Sequence, residues 1–180
     1  KAFDILIKNQ DVKLVACWLN RISHGVKKDV YKPRGGELIE FLKFNQIPGS
    51  AMFRKKDWSD AGGYDEEMRH GFEDWEFYIR LLQNGGAAYV IPEILFNYRL
   101  RSDSTTSKAN KVKYDLLFYI FDKNRTIVIQ YYSVFLENML FRIRQEEKEK
   151  IKNKERIEFK IGFLILLPLR YLRRIFTLSK

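Results

Sequence analysis

GFEDWEFYIRLLQNGG, residues 71–86, reads as one amphipathic helix with its stop signal attached. Over 73–84, Trp75, Tyr78, Ile79 and Leu82 recur at spacings of three and four, which puts them on one side of a helix. Gly85-Gly86 end it, and Glu73, Asp74 and Glu76 crowd its first turn, where carboxylates complement the helix dipole. Upstream, AGGYDEEM (61–68) follows a short helix predicted over 55–61, and Gly62-Gly63 supply the positive φ that a tight exit needs. Before that, PGSAMFRKKDW (48–58) holds an extended segment at 51–53. Downstream, 87–91 and 94–98 read as strands separated by Pro92-Glu93, and YRLRSDSTTS (98–107) closes the series.

The flanks extend this pattern. A helix is predicted over 2–7, then a turn at Asn9, Gln10 and Asp11, then an apolar strand over 12–18. Residues 20–36 read as an irregular excursion, and 37–44 as a short helix. After 107 the strand signals vanish. Residues 108–147 give two helical patterns with Asp122-Lys123-Asn124 as connector, 145–156 is a charged linker or solvated helix, and 159–178 is apolar with cationic flanks and Pro168. Two regions are therefore expected, 1–107 and a basic helical extension over 108–180. The chain opens without methionine inside a helical pattern, so a preceding segment is expected.

Charge follows the same division. Residues 1–107 carry 16 basic and 15 acidic side chains, whereas 108–180 carry 17 basic and 8 acidic. A basic appendage suits an anionic partner, phospholipid or nucleic acid, while a solvated helical face is the plainer account. Cys17 sits in VKLVACW as core filler, and His24 and His70 without clustered cysteines give no zinc-ligand spacing, so no protein-held metal is expected. No signal peptide is visible, and no apolar run approaches the roughly 18–20 residues that span a bilayer as a helix. A cytoplasmic chain is expected, either free or peripheral on the inner face of the membrane.

The ordered series PGSAMFRKKDW, AGGYDEEM, GFEDWEFYIRLLQNGG, YRLRSDSTTS resembles the family 2 glycosyltransferases over roughly residues 1–107. The resemblance implies a partial GT-A fold, an α/β mixed sheet flanked by helices, with the helical extension appended. It also implies a nucleotide-sugar donor, a glycan or lipid-linked acceptor, inversion at the anomeric carbon, and a divalent cation, manganese or magnesium. That cation would be held by aspartates upstream of residue 1, so these 180 residues alone are expected to be inactive and to bind no cation.

Inverting transfer needs a base for the acceptor hydroxyl, and a carboxylate is the common solution. Asp74 is the candidate base, with Glu73 beside it to orient the acceptor and to raise one of the two pKa values by repulsion. The plainer reading is that both only complement the helix dipole. The resemblance places Gly63, Tyr64 and Asp65 beside the acceptor, against a helix cap with an exposed loop. Trp75 either stacks on the acceptor sugar or anchors its helix in the core. Arg101 stands where many relatives carry a histidine; it cannot ligate a cation, but with Arg99 and Ser104 it could contact the diphosphate, unless the loop is simply solvated.

In the tail, Lys160, Arg170, Arg173 and Arg174 flank or interrupt an apolar run, which suits a helix lying in an anionic headgroup layer or one packed on protein. The competing reading is a non-enzymatic basic scaffold for membrane or nucleic acid. Nucleic acid is not expected, because the basic residues lie among aliphatic runs without a base-stacking platform. Self-association into a homodimer through an exposed strand edge is expected as well.

Overall fold

A computed structural model describes the backbone of residues 1–178 and the side chains of residues 1–168. Its spine is β1 (Val12–Ser23), whose Leu14, Val15, Ala16 and Leu19 are buried. Parallel to β1 runs β5 (Ala87–Arg99), while β2 (Val26–Tyr31) and β4 (Met52–Phe53) pair antiparallel with β1. β3 (Gly36–Glu37) pairs with the first residues of β5, giving a mixed sheet of order β2-β1-β5-β3.

Side chains alternate across a strand, so β1 serves two cores. Leu14 and Ala16 face α2 (Leu38–Lys43) and α4 (Glu73–Leu82), in a cluster centred on Phe41, Phe77, Tyr78 and Ile79. Val15 faces the other way, onto Ile91 and Leu6 of α1 (Ala2–Lys8). The larger cluster continues into Ile120 of α6 (Lys113–Lys123) and Ile127 of α7 (Arg125–Gln130). A mixed sheet flanked by helices, followed by carboxy-terminal helices, is the architecture that the sequence implied.

Two details differ from the sequence reading. Residues 20–36 are no irregular excursion: β1 continues to Ser23 and returns as β2 through His24-Gly25, with φ of 50° and 76°. Positive φ at both turn residues gives the I′ geometry whose twist suits a hairpin. Residues 87–99 form one strand, because register shifts around Trp18 absorb Pro92, which has no N–H to donate. Of the two readings of the charged stretch after 145, linker or solvated helix, the structure has the helix, within α8 (Tyr132–Glu155). Strands give way to helices after Arg99, and one compact unit runs from Lys1 to Phe135.

The second unit, Leu136–Lys180, holds most of α8 and then α9 (Ile157–Leu178), with Pro168 inside α9. The side chains of Arg170, Arg173 and Arg174 lie outside the described residues. Among the described residues no helix is long and apolar enough to cross a membrane.

Candidate active site

In the first unit, a cleft of about 510 Å³ opens where the far ends of β1 and β5 meet the start of α4. Leu19 and Arg21 of β1, Tyr31 of β2 and Tyr98 of β5 form one wall. Loop 45–49 and the first turn of α4 form the opposite wall, and Thr105 and Thr106 of α5 (Thr105–Ala109) close it.

Local backbone chemistry aims the carboxylates. Phe72 precedes α4 in the left-handed region, φ 66°, a conformation that costs a non-glycine residue about 1 kcal/mol or more and clusters at functional sites. The sharp entry turns Glu73 and Asp74 to the cleft wall. The Trp75 backbone N–H donates to Asp74 Oδ1 at 2.7 Å, and the Asn45 side-chain amide donates to the same carboxylate. Burial, with the charge of Glu73 next in weight, nevertheless raises the Asp74 carboxyl to about 6. A carboxylate at that value is half-ionised near pH 6, which suits proton exchange around neutrality.

Of the acceptor-side candidates, the cleft takes in Glu73, Asp74 and Trp75. Trp75 is 5% exposed and its indole N–H donates to the Phe41 carbonyl at 2.6 Å, so it anchors α4 while lining the inner wall. Gly63, Tyr64 and Asp65 are not among the lining residues. Gly62 and Gly63 close α3 (Lys55–Asp60): the Gly63 N–H donates to Trp58 O at 2.9 Å and the Gly62 N–H to Ser59 O at 3.0 Å, a Schellman cap. Tyr64 packs its ring against Phe77 with centroids 4.7 Å apart. Asp65 is tied to α6, accepting from Lys123 Nζ at 2.6 Å and Tyr119 OH at 2.9 Å. Burial works to raise its pKa, but these bonds and the Glu67 N–H outweigh it, so the carboxyl is lowered.

Arg99 and Arg101 are exposed and line openings beside the hairpin tip at Gly25, next to the cleft. Ser104 is the N-cap of α5, its Oγ accepting from the Ser107 N–H at 3.2 Å. Its oxygen is thereby engaged in holding the loop's shape.

Sequence reasoning missed Asn45, Arg21 and Tyr31 as wall residues. Arg21 is held by Asp29 in a two-pronged pair, both contacts 2.6 Å, which only the unrecognised hairpin creates. Also missed was the buried set behind the site, where Arg80 clamps the fully buried Glu76 at 2.6 and 2.7 Å and Lys123 approaches it at 3.3 Å. The i,i+4 spacing of Glu76 and Arg80 was the available signal. Among the described residues no group of three or more His, Cys, Asp or Glu could hold a metal ion.

Residues 26–111 match the model of the family described as glycosyltransferase like family 2. No curated protein matches the chain. The match takes in Tyr31, loop 45–49, all of α4 and the end of β5, so that most of the cleft is built by it. Over these residues the chain is similar to the glycosyltransferase-like family 2 domain.

Proposed function

We propose that this domain is the acceptor side of an inverting transfer from a nucleotide-sugar donor to a hydroxyl of a glycan or lipid-linked acceptor, with Asp74 as general base. The observation that carries the reading is a buried carboxylate, raised to about 6, at the wall of the cleft. In the step, the acceptor oxygen forms its bond to the anomeric carbon while the bond from that carbon to the diphosphate breaks, and the electron pair leaves with the nucleoside diphosphate. The hydroxyl proton passes to Asp74. Attack opposite the leaving group inverts the centre. Glu73, beside Asp74 on the same turn, orients the acceptor through its hydroxyls, and Arg99 and Arg101 offer positive charge to the diphosphate from the adjoining openings. A divalent cation would neutralise the leaving diphosphate; among the described residues no group of three or more His, Cys, Asp or Glu could hold it.

The test is turnover of a nucleotide-sugar panel with manganese by the native protein containing this chain, and by Asp74→Asn, which keeps the shape and removes the base. Transfer should fall by roughly 10²–10⁴ with nucleotide binding retained. A variant that transfers as fast as its parent would end the assignment.

The second unit supports an additional reading, docking of α9 to an anionic membrane surface. Leu164 and Ile165 are 67% and 68% exposed, and Ile157, Phe159 and Ile161 are exposed on the same helix. A helix displaying apolar side chains among lysines and arginines suits a headgroup layer, which would put the enzyme on the cytoplasmic face beside a lipid-linked acceptor.

A further inference from the structure

Loop 45–49, Asn45-Gln46-Ile47-Pro48-Gly49, crosses the first turn of α4 and is fixed from within. Gln46 is buried, and its Nε2 donates to Glu40 O at 2.9 Å while its carbonyl accepts from the Arg34 N–H at 3.3 Å. Ile47 is in the core, and the Tyr78 hydroxyl donates to the Pro48 carbonyl at 3.1 Å. The two ends of this anchored loop meet Asp74. At one end the Asn45 amide donates to the carboxylate, although this leaves its own Oδ1 buried without a partner among the described residues. An orphaned acceptor is unfavourable, so the amide is placed for its donor end rather than to fill space.

Gly49 stands at the other end. A Cβ built there would lie 3.1 Å from Asp74 Oδ2 and 3.6 Å from Asp74 Cβ. Gly49 is exposed and its φ is outside the left-handed region, so the backbone itself does not demand glycine. What a side chain would take is the space over Oδ2. The two carboxylate oxygens thus differ, since Oδ1 is occupied by the Trp75 N–H at 2.7 Å and Oδ2 lies beneath an exposed residue without a side chain.

We propose that Gly49 is the port of the site: the missing side chain is the opening through which the acceptor hydroxyl reaches Asp74 Oδ2, while Asn45 and the Trp75 N–H keep the carboxylate from swinging away. Acceptor size at the reacting hydroxyl is then set at position 49. The inference rests on the reading of Asp74 as the base.

A water-soluble carbodiimide, with glycine methyl ester to trap the activated carboxyl as an amide, probes the port on the full chain without knowledge of the acceptor. Peptide mass spectrometry should show Asp74 labelled in the parent, and labelled about tenfold more slowly in Gly49→Val, with Glu73 labelling and the urea unfolding midpoint unchanged. Gly49→Ala should fall between. Equal Asp74 labelling in parent and Gly49→Val, or no Asp74 labelling in the parent, overturns the port; a shifted unfolding midpoint in Gly49→Val transfers the decision to Gly49→Ala. In the transferring enzyme, Gly49→Val should lose transfer to sugars while hydrolysis of the donor by water persists. If Asp74→Asn abolishes transfer and Gly49→Val does not, the port fails and the base stands; if Asp74→Asn transfers normally, it is the base that fails.

Discussion

Asp74 carries opposing demands, because the burial that would suit it to the proposed role of base also makes its charged form unfavourable in the fold. Its carboxyl rises from an ordinary 3.8 to about 6, so the folded state holds the proton more tightly than the unfolded chain does. The associated stability is fully present below the unfolded value and is lost as pH rises through about 6. A shift of that size corresponds to roughly 2–3 kcal/mol by pH 8. Asp74→Asn, which cannot ionise, is therefore expected to be more stable than the parent at pH 8 by an amount of that order, with the advantage gone at pH 4. Urea unfolding of both proteins at the two pH values measures it. An increment that does not change between them would mean that Asp74 titrates as an ordinary exposed carboxylate. The carboxylate pair was legible in the sequence because Glu73 and Asp74 open a strongly periodic helix. Asn45, nearly thirty residues upstream, was not, since nothing local in NQIPG says that its amide ends beside α4.

Elements decide which side of a turn a candidate faces, and sequence carries that information unevenly. α2, α3, α4 and the break at Asp122-Lys123-Asn124 were readable because each is marked locally, by apolar spacing or by a glycine pair. The β1–β2 hairpin was not, because β2 is largely exposed and VKKDVY lacks the clean apolar alternation of a half-buried strand; the His24-Gly25 turn was its only punctuation. The turn after α3 shows the same limit. Gly62-Gly63 announced a cap, but only packing shows Tyr64 turned to Phe77 and Asp65 turned to α6. Gly63 also accepts from Arg80 Nη2 at 2.7 Å, coupling the cap to α4 and the buried Glu76. An alanine at 63 would meet a φ of 71° and stand 3.0 Å from the Trp58 ring. Gly63→Ala is expected to destabilise the chain by about 1–2 kcal/mol through backbone strain and this contact. Thermal unfolding checks the loss, and acceptor affinity measured well below the midpoint should be unchanged; weakened acceptor binding with unaltered stability would return Gly63 to the acceptor site.

At the scale of the whole molecule, the sequence divides by charge and the structure by packing, and the two divisions do not coincide. The first unit takes α6 into its core through Ile120 and Asp65, whereas the second displays apolar side chains along α9 in a region with 17 basic and 8 acidic residues counted from 108. The outer edge of β5 beyond Ala88 has no strand partner among the described residues, and Ile94, Leu95 and Phe96 are exposed there, so any pairing of two chains through a strand would use this edge. For α9 the prediction separates insertion from charge. The full chain should sediment with vesicles containing phosphatidylglycerol and remain in solution with phosphatidylcholine alone, because each lysine or arginine near an anionic surface contributes about 1 kcal/mol. Raising salt to about 1 M, where the Debye length is roughly 3 Å, should weaken the attachment without abolishing it, since apolar burial is not screened. Replacing both Leu164 and Ile165 by glutamate should remove the salt-resistant part. A duplex oligonucleotide at the same ionic strength should not shift. Binding to the duplex but not to the vesicles would end the membrane reading and favour the basic scaffold for the second unit, leaving Asp74 and its cleft to be judged by transfer alone.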